Sequence, residues 1–452
     1  MRASLFVGGT TAILALAAAA ACTSSGETEP TTPAEQDSGI LGSSDGAVVD
    51  VGSDTATPPV DGGVDGGDCS DAGWCETPLP GPGLTVKDIW PLEGRAFAVA
   101  ESATQGVRVL EWDGASGPTG TWSYIDDGTQ NDERAAPYAG GLWAPDADDL
   151  YYTVAPGYVY HGTRPVPPQT AWSWSRTRLE DHSHEGDVAH ASHDHGFPTN
   201  SEMGMGYPAL GVWGTSRDNV YAWYSNTVFH WKAEAGAAPA WVAEYSADDF
   251  DTPNEHLFFV GAAGTGPDDI WFSGVRDGSP SGRSCVILVR KTAGSFNRVA
   301  DGVVPPGFAP CAARDGFQKI DGANGWLTDL HALGPSRFVG LKGARDVLQL
   351  TASADGGIAT DLSPFPSSLV SNNTPTSVWA TSNEVWLSTV KTYATAAFVA
   401  RGVDVWNGGS YELSTLALRH GPITSSLFRI RGTSSTNLWV VGVQHALHKT
   451  TP

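Results

Sequence analysis

Apolar and polar positions along this chain alternate in short runs, and the runs come in sets. The clearest set is GVWGTSRDNVYAWYSNTVFHWK (Gly211–Lys232). It reads as an apolar stretch, a polar turn holding Asp and Asn, a β-branched and aromatic stretch, a small turn, and a third alternating stretch. Period-two alternation bounded by turn residues predicts β-strands. Related sets recur at Leu142–Gly162, at Ala262–Gly274 followed by Cys285–Lys291, and at Leu330–Leu350, Ser377–Val390 and Ile430–Lys449. An eroded copy runs over Asp88–Ser102 and continues at Val107–Gly114. The second stretch of each copy carries an anchor: Phe97, Tyr151, Tyr221, Trp271, Val339, Trp386 and Trp439, spaced by 47 to 70 residues.

Each copy has the length of one four-stranded antiparallel sheet. Such a sheet alone leaves both faces wet. Packing it face to face with its neighbours around a ring buries both faces and protects the edges. The expected fold is therefore all-β, a single β-propeller over residues 74–452 with seven blades. Copies one, four and five are worn, which leaves six or eight blades open. The last copy ends at HALHKTTP (His445–Pro452) and lacks an outer strand, while GWCETPLP (Gly73–Pro80) precedes the first copy. Trp74–Leu79 is therefore predicted to pair beside the third strand of the last blade and close the ring.

Composition supports this picture. Gly (54) and Trp (17) are abundant in the 452 residues, whereas Met (3) and charged residues (17 %) are scarce. That suits short strands, tight turns and indole packing, and argues against helical bundles. The net charge of −24 repels phosphates, so nucleic acid is excluded as an expected partner.

Val212–Trp223 and Ser377–Leu387 resemble the V-W-G-x4-D-V-W-A-V-G repeat of bacterial exported β-propeller proteins. Phe229-His230-Trp231 and Leu110–Gly114 resemble the third-strand part of that repeat. The resemblance extends over about Trp74 to Lys449. It implies the propeller fold and export, and specifies no activity.

The N-terminus agrees with export. Arg2 is followed by an apolar run from Leu5 to Ala21 that ends in Ala19-Ala20-Ala21-Cys22. A short apolar core closed by small residues predicts a cleavable signal peptide over residues 1–21. Cys22 resembles the lipid-attachment cysteine of bacterial lipoproteins, although Ala19 stands where Leu is preferred. The resemblance implies acylation (diacylglycerol, palmitate) at Cys22 and anchoring in the outer membrane or at the cell surface, because Thr23 rather than Asp follows. A plain secretory signal, giving a periplasmic or secreted protein, is the alternative. Residues 22–73 are rich in Ser, Thr, Pro, Gly and Asp and read as a disordered linker. Beyond Cys22 four cysteines remain: Cys69, Cys75, Cys285 and Cys311. Sequential pairing into disulfides is the natural expectation in an exported chain, although three pairings are open.

The densest chemistry lies in RLEDHSHEGDVAHASHDHGFP (Arg178–Pro198), where five of the chain's 12 histidines fall: His182, His184, His190, His193 and His195. Imidazoles among carboxylates suit Zn, Ni or Cu. The spacing matches no catalytic zinc motif, and the segment reads as a surface insertion between copies two and three. A solvated loop is the competing reading, and no cofactor is otherwise expected. Asp148/Asp149 and Asp268/Asp269 look like acid–base pairs, but their common place in the repeat marks them as turn residues. His161, His230, His445 and His448 fall on or near third strands and are expected to be structural. There is no G-x-S-x-G, Walker loop or dinucleotide fingerprint, and no catalytic residue is assigned. The expected function is a membrane-tethered, non-catalytic binding protein for a protein or carbohydrate ligand. The alternatives are a propeller hydrolase or lyase with its active site in the channel, and a surface metal-binding protein.

Overall fold

The computed structural model describes residues 69–451 except 117–118, 133–137, 183–198, 201–204, 234–237, 248–254, 279–282, 306–308, 354–355, 370–372, 392–396 and 415. The signal peptide, Cys22, nearly all of the linker, and His184, His190, His193 and His195 lie outside the described residues.

Seven four-stranded antiparallel sheets form, each read outward from an inner strand. Blade 1 is Leu84–Leu92, Arg95–Ser102, Gly106–Asp113 and Thr121–Tyr124. Blade 2 is Ala139–Asp146, Asp149–Val154, Tyr158–Thr163 and Ser173–Arg178. Blade 3 is Leu210–Ser216, Asn219–Tyr224, Thr227–Lys232 and Ala240–Ser246. Blade 4 is Glu255–Gly266, Asp269–Gly278, Arg283–Thr292 and Ser295–Ala300. Blade 5 is Leu327–Gly334, Arg337–Lys342, Asp346–Ala352 and Ile358–Pro364. Blade 6 is Asn373–Ala380, Glu384–Lys391, Val399–Val403 and Ser410–Ser414. Blade 7 is Leu427–Ser434, Asn437–Gly442 and Ala446–Lys449, completed by Trp74–Glu76 from the start of the folded chain.

All seven predicted anchors lie on second strands. Each blade is covered on both faces, so its middle strands are buried almost throughout, and the apolar clusters show this directly. One cluster joins each neighbouring pair of blades, from blades 1 and 2 around to blades 7 and 1. The ring is thus closed by hydrophobic burial at every interface, including the seam.

At the seam, Trp74 pairs with Lys449, Cys75 with His448 and Glu76 with Leu447. The Thr77 amide extends the ladder to the Ala446 carbonyl at 2.9 Å. Trp74 is fully buried, lies edge-on to Trp386 of blade 6 at 5.9 Å, and donates its indole N–H to Ser414 at 2.9 Å. The packed chain begins ahead of Trp74. Cys69 is bonded to Cys75, buried Ser70 accepts the Trp74 amide, and Lys449 donates to the Ala72 carbonyl at 2.7 Å. The second disulfide, Cys285–Cys311, ties the connection between blades 4 and 5 to the third strand of blade 4.

The W-G step of the repeat has a steric cause. A Cβ on Gly214 of blade 3 would fall 2.8 Å from the Trp143 ring of blade 2. One on Gly264 of blade 4 would fall 2.7 Å from the Trp213 ring of blade 3. The outer edge of each indole abuts the next inner strand, and glycine leaves room for it.

Candidate functional site: the central channel

The inner strands are in a common register against the anchors. Opposite the anchors stand Trp90, Trp143, Trp213, Ala263, His331, Trp379 and Arg431. Two residues earlier on the same strands stand Asp88, Gly141, Gly211, Gly261, Asp329, Ser377 and Arg429. The repeat therefore places Gly or Ser at this level in blades 2, 3, 4 and 6, and a charge in blades 5, 7 and 1. Six of the seven inner strands carry a register shift near this level, for example Val86/Asp88, Thr328/His331 and Leu427/Arg429. Such bulges re-aim side chains. Asp329 also sits in the left-handed backbone region (φ 53°), which is uncommon for a side chain other than Gly, Asn or Asp.

The four charges form one cluster. Arg431 Nε is 3.0 Å and Arg429 Nε 3.3 Å from Asp88 Oδ1. Arg429 Nη1 bonds Asp329 Oδ1. The remaining carboxylate oxygens accept backbone amides across blade boundaries: Leu142 to Asp88 at 3.1 Å, and Val378 to Asp329 at 3.1 Å. The Ile89 amide also reaches Asp88 at 3.0 Å. Burial disfavours the charged form of Arg429, but Asp329 and Asp88 outweigh it and raise its pKa well above the usual range. Beside the cluster, the His331 Nε2–H donates to the Ala380 carbonyl at 3.2 Å. Burial, reinforced by Arg431, pushes this imidazole down to about 4, so it is neutral at pH 7.

A cavity of about 250 Å³ occupies the channel, lined by inner-strand residues of blades 1, 2, 3, 4, 5 and 7. Its floor is Tyr207, from the connection ahead of blade 3. Tyr207 reaches across the bore, donates its hydroxyl to the Thr376 carbonyl of blade 6, and lies edge-on to Trp326 at 5.9 Å. Burial raises its phenol to about 12, so the hydroxyl stays protonated. Partly buried Trp90, Trp213 and His331 surround the opposite end, where inner strands turn into second strands. Among the described residues the channel is therefore a blind pocket.

Elsewhere the candidate residues behave as scaffold. His161, His230 and His448 each stack on the anchor of their own blade, on Tyr151 at 4.2 Å, Tyr221 at 4.2 Å and Trp439 at 4.0 Å. His161 pairs with Asp149, His230 with Glu244 at 3.0 Å, and His448 with Asn437 at 2.9 Å. His445 pairs with Glu76 at 2.8 Å, across the seam. In blades 4 and 6, Arg290 and Arg401 take the same third-strand place, over Trp271 at 4.9 Å and Trp386 at 5.4 Å. The Asp pairs divide their work. Asp148 makes the turn, its amide bonded to Asp146 at 2.8 Å. Asp149 and Asp269 open the second strand and hold the third-strand partner, Asp269 through Arg290 at 3.0 Å. His182 is described, with Glu180 at 4.0 Å, and among the described residues no group of three or more metal-ligating side chains forms.

The sequence reading missed Asp88, Asp329, Arg429, Arg431 and Tyr207 as site residues. Its signal was available: a charge where other copies have Gly or Ser. The copies as delimited began at Leu330 and Ile430, one residue too late to include Asp329 and Arg429.

No family model matches the sequence, and a search of curated proteins finds no match. Solved structures similar to this chain are propeller-containing at low identity. The WD40 β-propeller domain of Doa1 is 10 % identical with a TM-score of 0.42, over 83 % of this chain and 96 % of that one. The β-propeller domain of Vanderwaltozyma polyspora Nup133 is 7 % identical with a TM-score of 0.41, over 67 % and 80 %. A prolyl endopeptidase is 12 % identical with a TM-score of 0.41, and this chain covers 79 % of itself and 45 % of that chain. The class is thus set by the seven closed sheets themselves: a seven-bladed β-propeller with a blind central pocket.

Proposed function

We propose that this chain is an extracytoplasmic, membrane-tethered binding protein that holds its ligand at the mouth of the propeller channel and performs no chemistry on it. The observation that carries the reading is the blind cavity with indoles at its rim. Trp90 and Trp213 are partly exposed indoles lining the cavity, a group that stacks on carbohydrate rings or aromatic side chains. The non-catalytic part is supported by the saturation of the acids. Both channel carboxylates are occupied by guanidinium and amide donors, leaving neither as a ready general base. The tether is supported by the apolar run ending at Cys22, the polar stretch that follows, and two disulfides, which suit an oxidising compartment.

The reading is tested on the full mature chain. A glycan array and a pull-down of surface proteins, each run with the wild type and with Trp213→Ala, should return binding that the substitution removes. Binding untouched by Trp213→Ala, or a carbohydrate or peptide cleaved during incubation, overturns it. Metabolic labelling with a palmitate analogue should mark the wild type and not Cys22→Ser. Absence of label on the wild type overturns the tether.

A further inference from the structure

The two sides of the channel differ in chemistry, and the difference defines a ligand class for the site proposed above. On the charged wall the anions lie beneath the cations. The Asp88 and Asp329 side chains are 2 % and 3 % exposed, whereas those of Arg429 and Arg431 are 16 % and 25 % exposed. The carboxylates are spent on guanidinium and amide donors. Among the described residues Arg431 hydrogen-bonds through Nε alone, and its Nη2 lies 4.0 Å from Asp329, beyond hydrogen-bond range. The pocket therefore meets the forked end of a guanidinium with unspent donors. That fork matches a carboxylate bidentately. His331 donates through Nε2, so its neutral ring keeps Nδ1 as an acceptor suited to a hydroxyl. The facing wall carries no charge: Gly141 and Gly261 line it, and Trp213 stands at its rim. Trp90, with the Arg431 guanidinium 5.6 Å from its ring, completes a surface for a flat, weakly polar body.

We propose that the pocket binds a sugar acid, with its carboxylate on Arg431, a hydroxyl on His331 Nδ1, and its ring face against the rim indoles. This rests on the channel being the binding site. It narrows the ligand from carbohydrate or protein in general to a uronate, free or as the end of an acidic polysaccharide.

Titration calorimetry on the full mature chain tests it with four probes: glucuronate, galacturonate, glucose and benzoate. At least one uronate should bind at least tenfold more tightly than either glucose, which lacks the carboxylate, or benzoate, which lacks the hydroxyls. Arg431→Gln should weaken that uronate at least tenfold, and Arg431→Lys, which keeps the charge but loses the fork, by a smaller factor. Arg217→Gln, at an exposed pair with Asp146 away from the cavity lining, should leave it unchanged. A far-UV spectrum and urea midpoint for each variant separate loss of binding from loss of fold. Glucose or benzoate binding as tightly as both uronates, an unaltered Arg431→Gln, or no binding by either uronate overturns the proposal. Retained array binding to neutral glycans, abolished by Trp213→Ala, would leave the broader binding reading standing while this one fails. An oligouronate that binds where the free acids bind equally well places the recognition on the terminal residue.

Discussion

The channel has two walls made from the same repeat position and opposite chemistry. In blades 2, 3 and 4 the position holds Gly141, Gly211 and Gly261, uncharged and close-packed against neighbouring strands. In blades 5, 7 and 1 it holds Asp329, Arg429 and Asp88, and the wall is a buried ion cluster that also stitches blades together. The first wall follows the repeat and derives its strength from indoles on glycines. The second departs from the repeat and derives its strength from charge. A departure kept at a buried, costly position, beside a cavity, is where function is to be sought.

The comparison can be broken most forcefully at Arg429. Arg429→Met leaves Asp329 and Asp88 short of their cation, and removal of one partner from a buried pair costs about 3–5 kcal/mol. The urea midpoint should fall accordingly. A loss under about 1 kcal/mol would mean that the charged wall contributes little to ring closure.

Two disulfides brace the ring away from the channel, and loop length ranks them. Cys285–Cys311 (separation 26) braces the glycine side at blade 4, and Cys69–Cys75 (separation 6) braces blade 7 at the seam. Chain-entropy arguments give about 3.5 kcal/mol for the longer loop and about 2.2 kcal/mol for the shorter. Paired Cys→Ser variants should unfold in that order. The reverse order would show that the seam depends on its covalent clamp more than on the Trp74 strand.

The glycine wall is tested by Gly264→Leu, which drives a side chain into the Trp213 ring. Overpacking of this kind costs about 1–3 kcal/mol, and near-UV circular dichroism should report the displaced indole. An unchanged spectrum would remove the steric reason for the W-G step.

The smallest effect concerns protons. His331 has a folded pKa of about 4, below its ordinary value, so the unfolded chain binds more protons. Its contribution to stability is complete above pH 6.5 and is lost as pH falls from 6.5 through 4. At pH 5.5 the loss amounts to about 1 kcal/mol. Other groups act in overlapping windows. His448, also near 4 through burial, has the same sign. Asp277, raised to about 6 by burial, has the opposite sign. Glu244 matters only at lower pH: burial opposes its ionisation, but hydrogen bonds from His230 and Lys232 hold it near 2. The measurement is therefore a difference between wild type and His331→Gln, whose stability should fall less steeply between pH 6.5 and 5.5. Parallel profiles would mean that burial does not hold His331 neutral.

Much of the scaffold was legible in the residues. Seven anchors, the turn Asp residues, the stacked third-strand histidines and the closing strand at Trp74 all stand where the repeat placed them, because alternation and turn chemistry are local. Even the seam was readable, since a final unit one strand short needs a partner. The pocket was not. Asp88 and Arg429 are far apart in sequence and meet only because blades 7 and 1 close on each other. Tyr207, in an unremarkable connection, becomes the floor of the channel only because the bore passes over it. The chain alone determined which strands form, their order and their two-sided burial. Which side chains share the axis was decided by ring closure and by the bulges that turn them inward, since convergence on an axis depends on the angles between sheets, and no short-range pattern encodes those angles.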